Sequence, residues 1–190
     1  MPILPAEPDR FPASLFDPQP SDAVSRKWWV LHTKPRQEKA LARQLSASAV
    51  SFYLPCVARR NRIRGRVMTS QVPLFTSYIF LLADRAERVS ALTTDRVVHS
   101  LEVHDQHKLW TDLRQIEQLV ATGAAVTPEA QLVPGAPVEI TTGPLEGLQG
   151  TIVRSASGRR FVVRVDFIQQ GASVLLEDYA LVPLRPDAAA

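Results

Sequence analysis

The run over residues 73–82 is the most apolar short stretch of the sequence, and it constrains the fold more than any other feature. It begins Pro-Leu-Phe-Thr-Ser-Tyr-Ile-Phe, so three aromatic residues fall within six consecutive positions. Aromatic and β-branched residues at this density predict a β-strand that is buried on both faces. Proline has no N–H for a strand ladder and therefore belongs at the start of the strand. Alternation would place Tyr78 and Phe80 on one face, and Phe75 and Ile79 on the other.

The patterns around this strand predict an antiparallel sheet covered by helices, which is the α+β class. Alternating apolar residues indicate strands, apolar residues at a 3.6-residue period indicate helices, and glycine or proline marks the breaks. In chain order we expect a strand over 28–33, a helix over 36–49, a strand over 52–57, a hairpin leg over 67–72, the strand over 73–82, a helix over 86–94, a strand over 97–103 and a helix over 110–120.

The positive charge of the chain is concentrated in one segment. Residues 26–123 have a net charge of +8, whereas residues 1–25 have −3 and residues 124–190 have −2, which together give the overall +3. A basic segment between two acidic ones indicates that the middle segment meets a polyanion.

Residues 1–25 contain six prolines among acidic and small residues, without the period of a helix or a strand. We expect them to form a disordered tail. No apolar run is long enough to cross a bilayer, and no secretory signal opens the chain. The single cysteine, Cys56, cannot form an internal disulfide. These features favour a reducing, cytoplasmic location and no membrane partner.

The C-terminal third has a different sequence pattern. Residues 124–132 have no apolar period and are predicted to form a linker, and the domain over 26–123 would end before it. Residues 133–185 contain short alternating apolar runs separated by glycine and proline, which predicts a small β-barrel. Residues 186–190 end in three alanines and are expected to be a disordered tail.

Three strings in this sequence resemble the signature strings of the NusG family. Residues 28–38 (Trp-Trp-Val-Leu-His-Thr-Lys-Pro-Arg-Gln-Glu) and 73–80 resemble those of its N-terminal domain. Residues 142–153 (Thr-Gly-Pro-Leu-Glu-Gly-Leu-Gln-Gly-Thr-Ile-Val) resemble the KOW motif of its C-terminal domain. The likeness covers about residues 26–185, and the Lys-Pro-Arg-Gln-Glu wording is more similar to the specialised RfaH-type paralogues than to the housekeeping factor.

The resemblance implies a transcription elongation and antitermination factor that suppresses pausing. Its N-terminal domain would be a ferredoxin-like sheet with flanking helices, seated on the clamp helices of RNA polymerase. The positions that match the polymerase-contacting strand of the family are Phe75, Tyr78 and Phe80, and Ser90 falls in the stretch that faces the other polymerase pincer. An aromatic patch on a sheet is also what an incoming amphipathic helix needs. The alternative is that these side chains all point into the core of the domain.

The RfaH-type relatives also read the displaced non-template DNA strand. Lys34 and Gln37 match positions used for that contact, and Arg36 and Lys39 are basic where the match is looser. Arg96 matches an arginine of the family, but valine replaces the glycine that follows it in the relatives, which alters the local turn.

A second basic feature is the run over residues 59–66, in which Gly65 is the natural turn residue of a hairpin. Its side chains are either a solvated tip or a surface that attracts phosphate, and the sequence leaves both open. The arginines of this run are Arg59, Arg60, Arg62, Arg64 and Arg66.

The KOW resemblance assigns turn and close-packing positions to Gly143, Pro144, Gly147 and Gly150. It implies a second partner for this domain, a small-subunit ribosomal protein or the Rho terminator. RfaH itself can refold this domain into a helical hairpin. Here the β-branched and aromatic content of residues 161–167 favours a barrel.

Nothing in the sequence points to an enzyme or to a cofactor. His104 and His107 have close spacing, but no cysteine stands nearby to complete a metal site. Phosphate-binding loops and Ser/His/Asp motifs are also missing from the sequence. We expect a monomer. The competing function is a general RNA- or DNA-binding, ribosome-associated KOW protein, which would not need the aromatic strand.

Overall fold

The computed structural model describes residues 8–17, 25–63, 66–129, 135–155, 158–175 and 181–184. The internal contacts of the chain divide it into two units, Met1–Gln106 and His107–Ala190. The helices and strands of the first unit are β1 (Arg10–Phe11), β2 (Lys27–Thr33), α1 (Glu38–Ala47), β3 (Ser51–Tyr53), β4 (Cys56–Ile63), β5 (Arg66–Pro73), β6 (Tyr78–Ala83), α2 (Arg85–Leu92) and β7 (Val97–Glu102).

The first unit is built on a five-stranded sheet with the order β1-β3-β6-β2-β7, in which all neighbours are antiparallel. Strands β4 and β5 form a separate two-stranded hairpin. The predicted α+β class with an antiparallel sheet and flanking helices is confirmed. Where one strand was expected over 52–57, the structure has two strands, β3 and β4, with Leu54 and Pro55 between them.

Helices α1 and α2 cover one face of this sheet. Leu31 of β2 and Leu81 of β6 are fully buried there, together with Leu41 and Leu45 of α1 and Ala91 of α2. Their side chains lie on the same face because residues two apart in a strand, and three or four apart in a helix, point the same way. Each such leucine contributes about 1.5–3 kcal/mol by leaving water, which makes this the main core of the unit.

The strand predicted over 73–82 is interrupted. Strand β5 ends at Pro73, strand β6 begins at Tyr78, and the residues between them form a turn. Ser77 has a φ of 66°, which no strand residue adopts, and the Tyr78 N–H donates to the Phe75 carbonyl at 3.2 Å. The turn breaks the two-residue alternation. Phe75 therefore packs edge-on against Phe80, with ring centres 6.1 Å apart, and the prediction that it faces away from Phe80 is wrong.

The prediction of a disordered tail over residues 1–25 is wrong for residues 8–17. Arg10 and Phe11 form β1, which pairs with Phe52 and Tyr53 of β3 at the edge of the sheet. Proline excludes a helix here, but it is compatible with a short edge strand followed by a turn. The remaining residues of the predicted tail, 1–7 and 18–24, lie outside the described residues.

The second unit contains one long helix and a six-stranded sheet. Its elements are α3 (Gln106–Ala121), β8 (Thr127–Glu129), β9 (Ala136–Ile140), β10 (Gln149–Ser155), β11 (Gly158–Val165), β12 (Gln170–Leu175) and β13 (Leu181–Pro183). The strand order is β13-β9-β10-β11-β12-β8, and among the described strands no pairing of the two edges closes the predicted barrel. Part of the predicted linker over 124–132 is β8, which pairs with β12.

Glycines allow the tight turn between β9 and β10. Gly143 and Gly147 have φ angles of 88° and 82°, which side chains with a Cβ rarely adopt, and the Gly147 N–H donates to the Ile140 carbonyl at 2.8 Å. Gly150 allows close packing instead, because a Cβ there would lie 2.5 Å from the Val162 carbonyl oxygen. Pro144 is exposed in the turn.

Helix α3 is bonded to this sheet through a buried charge. Asp112 accepts from the Asp166 N–H at 3.1 Å and from Lys108 Nζ at 2.5 Å, and Lys108 also contacts the Asp166 carboxylate at 3.0 Å. Burial raises the pKa of Asp112, and it outweighs the opposite effect of Lys108. Burial alone would lower the pKa of Lys108, but its hydrogen bonds and charge interactions with Asp112 and Asp166 together outweigh burial and raise it. Gln115 of the same helix accepts from the Gln149 N–H at 2.8 Å.

Candidate functional site

The sheet face opposite α1 and α2 carries several aromatic side chains, and it is here called the aromatic face. It consists of the residues that alternate with the helix-covered core positions along four strands. The strand register places one row of neighbours across the four strands, namely Tyr53, Phe80, Val30 and Leu101. A second row crosses three strands and consists of Tyr78, His32 and His99. The members of the aromatic face are Trp28, Val30 and His32 on β2, Tyr53 on β3, Tyr78 and Phe80 on β6, and His99 and Leu101 on β7.

One end of the aromatic face is open to solvent. Tyr78, His32 and His99 form a row across three adjacent strands, with ring centres 5.3 Å apart for the first pair and 6.4 Å apart for the second. His32 and Tyr78 are half-buried, and His99 is exposed. Because a row of rings offers apolar area together with polar tips, it can accept a partner side chain or base.

Further along the aromatic face the aromatic rings are buried, and Leu101 on β7 is 38% exposed. Phe80 is 0% exposed and Phe75 is 1% exposed, so of the three predicted polymerase anchors only Tyr78 is accessible in this conformation. Ser90 is exposed on α2, which packs on the opposite face of the sheet. The structure therefore does not bring Ser90 together with the aromatic residues.

The turn after β5 holds Tyr78 in place through a buried carboxylate. Glu38, the first residue of α1, is 4% exposed, and its Oε1 accepts from the Ser77 N–H at 2.7 Å. The Ser77 carbonyl accepts from the Thr33 N–H at 2.8 Å. The start of α1, the end of β2 and the start of β6 are thus joined at the residue directly before Tyr78.

The predicted nucleic-acid residues that follow β2 meet the loop before β7. The Lys34 N–H donates to the Arg96 carbonyl at 2.8 Å, and Arg96 donates through Nη1 to Gln37 Oε1. Arg96 also reaches Gln44 Oε1 through Nε at 3.4 Å. Arg36 is exposed, with a φ of 62°. We call Lys34, Arg36, Gln37 and Arg96 the polar cluster.

Asp95 is a member of this region that sequence reasoning missed. Its Oδ1 lies 2.8 Å from Lys34 Nζ, and this hydrogen bond and charge hold the pKa of Asp95 below its usual value. Asp95 is exposed and has a φ of 57°, which aspartate tolerates better than most residues. The one signal in the sequence is its position in the loop directly before Arg96. Lys39 is half-buried on α1, two residues after Gln37 in the sequence.

The arginine run forms strand β4 and the start of β5. Arg59, Arg60 and Arg62 are exposed, the side chain of Arg66 is not described, and Arg64 lies outside the described residues. Alternation along β4 places Arg60 and Arg62 on one face of the hairpin and Arg59 on the other. The exposed arginines therefore lie on both faces of the hairpin.

Val67 and Met68 are the most exposed of the large apolar residues in the part of the chain that the structure describes, at 65% and 56%. Val67 pairs with Arg62 across the hairpin, and Met68 pairs with Asn61. The hairpin thus presents apolar and cationic side chains side by side.

No group of three or more His, Cys, Asp or Glu side chains within the described ranges is placed to hold a metal ion. His104 and His107 are both exposed. A helix long and apolar enough to span a bilayer is also missing from those ranges.

Comparison with known proteins gives one family. The family model described as "Transcription termination factor nusG" matches residues 26–126, which is more than half of the chain. Among solved structures, one described as "Domain interaction in Thermotoga maritima NusG" matches with a TM-score of 0.46 and 17% identity, and covers 80% of this chain and 94% of that one. No curated protein matches the sequence.

Proposed function

This chain belongs to the NusG family, whose members are non-enzymatic transcription factors that bind RNA polymerase, and we propose that it is a specialised, RfaH-like elongation and antitermination factor. In this proposal residues 26–123 sit on the clamp helices and suppress pausing. Residues 133–185 form a KOW barrel that recruits a ribosomal protein or Rho.

The open row of Tyr78, His32 and His99 is the observation that carries the polymerase contact. A helix that docks on a sheet needs exposed rings in its path, and aromatic residues usually dominate the binding energy of such contacts. Tyr78 meets this requirement, because it is accessible and its position is fixed from below by the Glu38–Ser77 bond. Phe75 and Phe80 pack against each other inside the fold and are not accessible to a partner.

The polar cluster supports a contact with the non-template DNA strand. It combines three cations, Lys34, Arg36 and Arg96, with the amide of Gln37, and such groups can bind both phosphates and base edges. It is also next in sequence to the aromatic row, since Lys34 follows His32 by two residues. One bound strand could therefore meet both features.

Binding of purified protein to core RNA polymerase tests this proposal. Replacing Tyr78 with alanine should weaken binding by about 2 kcal/mol, which is about 30-fold, because an anchor ring is lost. The matched control is Phe167→Ala, which removes an exposed ring from the second unit. Equal affinities for the wild type and Tyr78→Ala would contradict the proposed contact.

A general nucleic-acid-binding function is the second candidate, and the exposed arginines of β4 favour it. Phosphate contacts of this kind weaken steeply with salt and do not depend on sequence. Replacing Arg59, Arg60 and Arg62 with glutamine should then remove most binding to DNA or RNA. If the protein binds nucleic acid in this way but does not bind polymerase, the second candidate is correct.

A further inference from the structure

We propose that residues 9–17, here called the N-terminal strap, are a displaceable internal ligand of the aromatic face. The strap precedes residues 26–126, which match the family model, and so lies outside the matched domain. It leaves the Tyr78 end of the face open and occupies the other end.

The strap binds the sheet edge through its backbone. Arg10 and Phe11 add β1 to the edge of β3, and the Asp9 carbonyl accepts from the Leu54 N–H at 2.6 Å. The chain then turns at Pro12, where the Leu15 N–H donates back to the Pro12 carbonyl at 3.1 Å. Without this strand, β3 would present an unpaired edge.

The strap buries two apolar side chains, and one of them, Phe16, contacts the aromatic face. Leu15 is 1% exposed and Phe16 is 7% exposed. The Phe16 ring stacks on Trp28 at 6.2 Å between centres and meets Tyr53 edge-on at 5.0 Å. These two anchors follow the short strand by only a few residues.

An added edge strand with nearby anchor side chains is the mode by which extended peptides bind other proteins. The strap also has a third apolar side chain, Phe11, which is partly buried against the helix-covered core. Its remaining described residues are half-buried or exposed, and a two-residue strand contributes little stability by itself. Burial of its anchors is opposed by the conformational entropy of nine ordered residues, so the net free energy of docking is the difference between two larger opposing terms.

Charge also favours the strap as the ligand of the aromatic face. Residues 1–25 have a net charge of −3, and residues 26–123 have +8. The attraction is long-range and nonspecific, and it keeps a released strap near the domain. A tether of this length gives an effective concentration of about 1 mM, so a docked strap implies an intrinsic Kd below about 1 mM.

The strap and the proposed polymerase contact share one sheet face, and this consequence rests on the proposed function. Phe16 contacts Tyr53, and Tyr53 is the register neighbour of Phe80. A helix that extends from Tyr78 over Phe80 would meet the strap. Release of the strap should therefore strengthen polymerase binding.

The test uses the full chain with Leu15→Ala and Phe16→Ala combined, which removes both anchors. A fluorescent peptide of residues 8–17 should bind this double variant with a Kd below about 1 mM, and bind the wild type at least about tenfold more weakly. A peptide with the same two alanine substitutions is the control and should not bind. Failure of the unmodified peptide to bind the double variant, or loss of cooperative unfolding in that variant, would overturn the proposal.

Hydrogen exchange of the wild type gives a second readout that needs no substitution. Amides of the strap should exchange at least about tenfold faster than those of β2 and β6, because the strap opens locally. Exchange at the same rate as the central strands would show that the strap is a fixed part of the core. Neither readout involves polymerase, so failure of the proposed function is recognised separately, as an absence of polymerase binding by either form of the protein.

Discussion

The two faces of the five-stranded sheet are made from the same strands but are completed in different ways. The helix-covered face is closed by α1 and α2, whose leucines pack against fully buried strand residues such as Leu31 and Leu81. The aromatic face has the strap at one end and an open row of rings at the other. Successive residues of one strand, which point to opposite faces, therefore have different roles.

The difference shows where binding is built into this fold. A leucine on the helix-covered face has no access to a partner, and its whole contribution is to stability. A ring on the open row is incompletely buried, so its removal costs the folded protein little stability. Its apolar area remains available to a partner, and so the same change has a large effect on binding.

Substitution of neighbouring β2 residues should give the largest contrast. Leu31→Ala should lower the free energy of unfolding by about 2–5 kcal/mol, because it leaves a cavity between the sheet and α1. His32→Ala, one residue later and on the opposite face, should cost less than about 1 kcal/mol. Urea denaturation with constant m-values measures both. Similar losses for the two variants would show that the faces are equally packed.

Much of this architecture could be predicted from sequence, because it depends on local patterns. The α+β class is confirmed, and the helix over Glu38–Ala47 and the strand over Val97–Glu102 lie within a few residues of the predicted elements. The strand over 73–82 was predicted without its break, because a positive φ at Ser77 is stabilised by Glu38, which is 39 residues away. Composition carries no signal for such a contact.

The strap and the site were less predictable for the same reason. A proline-rich segment with three apolar residues has too little apolar area to fold alone, and its order comes from Trp28 and Tyr53 elsewhere in the chain. The members of the polar cluster were identified through resemblance to a family, since Lys34 and Arg96 are far apart in sequence. Asp95 was missed because nothing in the sequence links it to Lys34.

Substitution of Glu38 should show whether the position of the open row depends on α1, on the helix-covered face of the sheet. Glu38→Ala leaves the Ser77 N–H without its acceptor and should lower the free energy of unfolding by about 1–3 kcal/mol. It should also weaken polymerase binding, because Ser77 positions Tyr78. Glu38→Gln keeps an acceptor oxygen and serves as the control. If Glu38→Ala destabilises the protein but binds polymerase normally, the open row is positioned independently of this bond.

The smallest effect is expected at the edge of the open row, where Asp95 neutralises Lys34. Because both side chains are solvent-exposed, Asp95→Asn should leave the free energy of unfolding nearly unchanged. It should raise affinity for single-stranded DNA a few-fold at low salt, since Lys34 becomes free to bind phosphate, and the gain should vanish at high salt. The control is Glu102→Gln, which makes the same charge change at the far end of β7. An equal gain from the control would mean that net charge alone sets DNA affinity, whereas a gain limited to Asp95→Asn would identify Lys34 as a contact made by the polar cluster.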